Sequence, residues 1–166
     1  MRCKTILGPV IVLALAAFSV AQTNISGTVS CAKPEQSQKI DIGDKPGHAY
    51  AISQGKCTWM KPMDIAGTQT HDDVGTNFDE MTPAGAHGHG YVLGTMANGD
   101  KFVARTDSKD AYKDGKPVST EGTWSFVSGG GSGKLKGISG KGTYKGKPDA
   151  DGNMIIDVEG AYQLPK

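Results

Sequence analysis

The stretch Gly122–Gly146, GTWSFVSGGGSGKLKGISGKGTYKG, restricts the fold more than any other part of the chain. Trp124 and Phe126 stand two apart before a glycine-rich segment, and Tyr144 stands beyond it. Residues two apart share one face of an extended strand, so the stretch reads as strand, turn, basic segment, strand. A phosphate-binding loop is the competing reading of Ser128–Lys134. It fails because that motif needs glycine where Ser128 stands and serine or threonine where Leu135 stands, and no helical pattern follows.

The rest of the chain repeats this organisation. Helical periodicity is scarce, alternation recurs, and the 24 glycines punctuate it. Asn24–Cys31 places Ile25, Gly27, Val29 and Cys31 on one face, and Gln36–Ile42 carries Ile40 and Ile42 two apart. Asp44-Lys45-Pro46-Gly47 is a turn. His48–Trp59 reads as a long strand with His48, Tyr50 and Ile52 on one face, and Cys57 and Trp59 again two apart. Met63–Thr70 reads as a further strand, then 71–89 as a long polar loop with a short edge strand at 77–81. Gly90–Met96 and Lys101–Thr106 flank Ala97-Asn98-Gly99-Asp100, a hairpin signal. Asp107–Pro117 reads as a polar connection with turns at Asp114-Gly115 and Lys116-Pro117. Val118–Val127, Gly137–Lys145 and Asn153–Gln163 are the closing strands. The spacing predicts an all-β fold, a single antiparallel β-barrel of about eight strands, with a sandwich as the alternative.

Residues 1–21 read as a cleaved signal peptide: Arg2 and Lys4 precede an apolar run, and Ser19-Val20-Ala21 supplies small residues before Gln22. The expected domain is therefore 22–166, secreted or periplasmic, with no membrane span in the mature chain. Cleavage removes two of the 18 basic residues against 17 acidic ones, leaving one net negative charge. That balance predicts no nucleic-acid partner and no attraction to an anionic membrane. Cys31 and Cys57 are the cysteines that remain, and in an oxidising compartment they are expected to form a disulfide. A catalytic thiol is the alternative.

The segments Gly94–Lys101, Gly122–Phe126 and Gly133–Tyr144 resemble the corresponding strands and glycine-rich hairpin of allene oxide cyclase-like and dirigent-like barrels. The likeness spans about residues 90 to 163 and is nearer to uncharacterised bacterial secreted members than to the plant enzymes. It implies a small calycin-type barrel of eight strands. It implies no catalytic residues here, because the shared glycines and aromatics are structural and no catalytic position of the plant cyclases maps onto this chain.

Candidate chemistry falls in two places. His48, Tyr50, Trp59, Phe102, Arg105, Trp124 and Tyr144 would line a ligand site if the barrel is hollow. Arg105 could anchor a carboxylate, although Phe102 and Ala104 share one face and Val103 and Arg105 the other. His87-Gly88-His89 could direct two imidazoles at one metal, with His71 or neighbouring acids completing the set. A solvated polar loop is the alternative. The sequence predicts no cofactor, and a divalent metal at the 71–89 loop is the option it leaves open. Asp72-Asp73 and Asp79-Glu80 read as surface acids rather than an acid/base pair or a calcium loop. No nucleophile elbow is present. The expected function is binding of a small, partly apolar molecule. A cyclase or isomerase acting by conformational control of its substrate, and a filled-core structural or interaction module, are the alternatives.

Overall fold

The computed structural model describes residues 22–165; the predicted signal peptide lies outside the described residues. Ten strands follow in chain order: β1 (Thr23–Cys31), β2 (Gln36–Asp41), β3 (Ala49–Lys61), β4 (Asp64–Ile65), β5 (Thr68–Thr82), β6 (Gly85–Met96), β7 (Lys101–Lys113), β8 (Lys116–Phe126), β9 (Ser139–Pro148) and β10 (Met154–Gln163). No α-helix occurs among the described residues. Eight strands close into an antiparallel barrel in the order β1-β10-β9-β8-β7-β6-β5-β3, sealed by pairing of β3 with β1 on one edge and β5 on the other. β2 continues along the β1 side of β3, and β4 is a two-residue addition to the start of β5. No helix among the described residues is long and apolar enough to cross a membrane.

Three sequence expectations are corrected here. The 71–89 segment is no loop: β5 and β6 pair from Asp72 opposite Thr95 to Thr82 opposite Gly85. Its histidines and acids look irregular because the inward positions of β6 are occupied by Gly88, Gly90 and Gly94, which erases the apolar half of the alternation. Met63–Thr70 is not one strand, because Ala66 and Gly67 turn the chain at φ 56° and 75° after Ile65. The polar connection at Asp107–Pro117 is strand on both sides of a tight turn, Asp114-Gly115, at φ 51° and 72°.

The two ends of the barrel differ. One end is plugged: the segment after β3 brings in Met63 and Ile65, and the segment after β8 brings in Leu135 and Ile138. These pack against Ile25, Met96, Phe102, Phe126 and Tyr162. Tyr162 Oη accepts a hydrogen bond from the Ala66 N–H at 2.9 Å, and Asp100 accepts one from Lys134 N–H at 3.0 Å, so both covering segments are tied to strand ends. Phe126 stands edge-on to Phe102 and Trp124, with ring centroids 5.5 and 5.1 Å apart, an arrangement favoured by the ring quadrupoles.

Above the plug the large aromatics lie against the wall instead of crossing the lumen. Each covers a glycine on a neighbouring strand: Phe102 over Gly94, Trp59 over Gly27, Tyr144 over Gly122, and Trp124 over Gly142, reaching Gly160 one strand further on. Trp124 is held in this position by a hydrogen bond from its indole N–H to the Glu159 carbonyl at 3.1 Å. A methyl group on any of these glycines would occupy the space of the ring. Small inward residues on β3 (Ala51, Ser53, Gly55) and β5 (Gly75) then leave the lumen open.

Candidate functional site

The hollow has a volume of about 430 Å³ and runs from the plug towards the end where the β5–β6 and β7–β8 hairpins turn. That size is within the range of small-molecule sites. Its walls are mostly apolar or aromatic: Trp59, Phe102, Trp124 and Phe126 near the plug, and Val92, Ile156 and Val158 along the sides. The disulfide between Cys31 and Cys57 joins opposite positions of β1 and β3 in the same wall. Both sulfurs are bonded to each other, which removes the catalytic-thiol alternative.

Three carboxyl groups line this cavity, Asp73, Asp79 and Asp110, and among the described lining residues there is no lysine, arginine, histidine or glutamate. Asp73 is 6% exposed, and its Oδ1 has no hydrogen-bond partner. Trp59, also buried, has an indole N–H without a partner. Burial pushes the Asp73 carboxyl up to about 7; the nearby indole works against the shift without meeting hydrogen-bond geometry, and Asp72 adds to it. Removing an ionised carboxylate from water without a paired cation is costly, so the proton is retained instead.

Asp79 and Asp110 form a second acidic centre nearer the open end. Asp79 is opposite Gly88 on β6, whose next inward neighbour, Ala86, is opposite Asp110 on β7. The Asp79 carboxylate lies over the Gly88 Cα, where any side chain would collide with it. Burial and then the charge of Asp110 push Asp79 up to about 6, with His89 acting in the opposite sense. Burial also raises Asp110, and its cross-strand partner Thr120 partly offsets this. Tyr112 and Tyr144 complete the group; burial, then the charges of Asp110 and Asp79, hold both phenols in the protonated form.

Of the residues singled out from the sequence, Trp59, Phe102, Trp124 and Tyr144 line the cavity. His48, Tyr50 and Arg105 do not. His48 sits in the turn before β3, bonded through its two ring nitrogens to Asp44 at 2.6 Å and Glu80 at 2.8 Å, contacts that raise its pKa. Tyr50 points outward, and Arg105 faces solvent beside Asp107 at 3.3 Å. His87 and His89 share the outer face of β6, where His89 stacks on Phe78 at 5.6 Å. His71 pairs with Asp72 near the far end of β5, level with Thr95, six residues and about 20 Å of strand from His89. The three histidines therefore do not converge, and no cluster of three metal-ligating side chains occurs among the described residues.

Sequence reasoning named Asp73 and Asp79 but placed them on the surface, and it passed over Asp110. The usable signal was the alternation Thr106, Ser108, Asp110, Tyr112, which extends the inward face of Phe102 and Ala104. It also separates Asp72 from Asp73 and Glu80 from Asp79, because adjacent residues point to opposite sides of the wall. No protein-family model matches the chain, and no curated protein is detectably similar to it in sequence.

Proposed function

We propose that the protein is a secreted or periplasmic barrel that binds a small, partly apolar molecule in its interior. The observation that carries this reading is the 430 Å³ hollow itself, walled by Trp59, Phe102, Trp124, Val92, Ile156 and Val158, with the carboxyl groups of Asp73, Asp79 and Asp110 in its lining. The disulfide supports an oxidising compartment. The closed eight-stranded barrel and the Gly122–Gly146 hairpin support placing the chain beside the allene oxide cyclase-like and dirigent-like barrels.

The experiment is native mass spectrometry of freshly purified protein, combined with titration of its fluorescence. Both tryptophans of the chain, Trp59 and Trp124, are in the cavity wall, so occupancy is read without a label. The expected result is a retained small molecule, or a saturable 1:1 change with an apolar probe. A clean apo mass together with no response to any probe of matching size contradicts the reading.

The raised carboxyls favour a second reading, an isomerase or cyclase. The charge of Asp110 opposes ionisation of Asp79, so the pair can hold one proton, with one carboxyl as acid and the other as base. The walls would then hold a flexible substrate in its reactive conformer. Turnover of a bound guest that stops in Asp79→Asn and Asp110→Asn, with binding retained, distinguishes this reading from carriage alone.

A further inference from the structure

We infer that the guest is an elongated organic amine, its protonated end held between Asp79 and Asp110 and its far end carrying a donor for Asp73. The inference rests on the binding reading above and specifies its ligand.

Charge comes first. Three acids and no cation line the cavity among the described residues. A carboxylate guest has no arginine or lysine to pair with and would bring negative charge beside Asp79 and Asp110. A neutral hydrocarbon would offer no donor to the three carboxyl groups in the lining. A guest bearing N–H donors and positive charge answers both conditions. The aromatic walls agree, since a cation over the face of tryptophan or tyrosine is attracted to the ring quadrupole, and Trp59, Trp124, Tyr112 and Tyr144 all line the hollow.

Shape comes next. Asp73 and Asp79 are both inward on β5 and six residues apart, about 20 Å along the strand. Strands in such barrels tilt by roughly 40° from the axis, so the acidic centres stand about 15 Å apart along the lumen. A guest that reaches both acidic centres must therefore extend over about that length. Between the two centres the sides combine Gly75, Val92, Ile156 and Val158, suited to methylene groups, with the polar side chains of Asn77, Thr106 and Ser108. A bare metal ion fits less well. The described residues offer no group of three His, Cys, Asp or Glu side chains placed to hold one.

The test uses four probes of one chain length: 1-decylamine, 1,10-diaminodecane, 1-decanol and decanoate, titrated against the full protein by tryptophan fluorescence and calorimetry. The inference predicts that both amines bind at least tenfold more tightly than decanol, and that decanoate binds weakest. Asp79→Asn and Asp110→Asn reduce amine affinity about tenfold and leave decanol binding unchanged, which also shows that the variants are folded. Asp73→Asn removes the advantage of the diamine over the monoamine. If decanol or decanoate binds as tightly as the amines, the amine inference is overturned and the binding reading stands. If none of the four binds, the amine inference is overturned, and the binding reading is decided separately by native mass spectrometry.

Discussion

Asp73 occupies a position where a carboxyl group is hard to ionise: inward on β5, opposite Cys57 and Gly94, with Trp59 the nearest donor and the charge of Asp72 behind it. Its pKa of about 7 in the fold, against 3.8 ordinarily, makes stability depend on pH. Between these values the unfolded chain releases a proton that the folded chain keeps, so stability falls as pH rises through this window. His48 contributes in the same direction: its raised pKa gives stability that is complete below its ordinary value and lost as pH rises through its folded one. Asp44, Glu80 and Asp149 are lowered, mainly by their hydrogen bonds to His48 and Asn153, and their contribution is lost only as pH falls below the ordinary carboxylate range. The melting temperature should therefore be higher at pH 5 than at pH 8. Asp73→Asn should raise stability at pH 8 by on the order of 4 kcal/mol and at pH 5 by less than half of that. Thermal melts of both proteins at the two pH values check this; equal melting curves for variant and parent at pH 8 contradict it.

At the scale of the strands, the pairing of aromatics with glycines explains both the glycine content and the hollow. Gly142 is the clearest case. It lies opposite Trp124 on β8 and Gly160 on β10, and an added methyl group would run into the Glu159 carbonyl and the Trp124 indole. Gly142→Ala should destabilise the protein by about 1–3 kcal/mol, the usual cost of overpacking, and alter the near-ultraviolet signal of the tryptophans. An unchanged melt would mean that the ring does not lie on this wall. The same pairing decided what the sequence could reveal. The strands of the Gly122–Gly146 hairpin, β1 and β10 were legible because large apolar residues alternate with polar ones and point inward. β3 inverts that rule: its inward residues near the open end are Ala51, Ser53 and Gly55, while Tyr50 and Ile52 face outward. Phe78, Tyr91 and Leu93 also face outward on β5 and β6. A reader who places bulk inside assigns the wrong face wherever a barrel keeps its lumen empty, which is how His48 and Tyr50 came to be candidates and Asp110 did not.

For the molecule as a whole, the long-range staple is the Cys31–Cys57 disulfide, which joins β1 to β3 where the wall passes from β1 to β2. In a chain-entropy account a loop of this length contributes roughly 3 kcal/mol. Cys31→Ser combined with Cys57→Ser should lower stability by about that amount, measured by urea denaturation, while the barrel pairing persists. The pairing and the existence of a barrel followed from composition and turn spacing. Whether the barrel was filled did not, because it depends on which strand face each small residue takes, and that is set by register between strands distant in sequence. The central claim is that the guest occupies the lumen. Gly75 tests it most directly: it is buried, faces the cavity, and a Cβ added there meets no atom within 4 Å. Gly75→Leu should fold with a melting temperature equal to or above that of the parent, since the new side chain fills empty space and suits a strand better than glycine. The same variant should lose at least tenfold in affinity for the probe that binds the parent most tightly. Parent-like affinity in a folded Gly75→Leu protein would contradict the account, because it would place the guest outside the barrel.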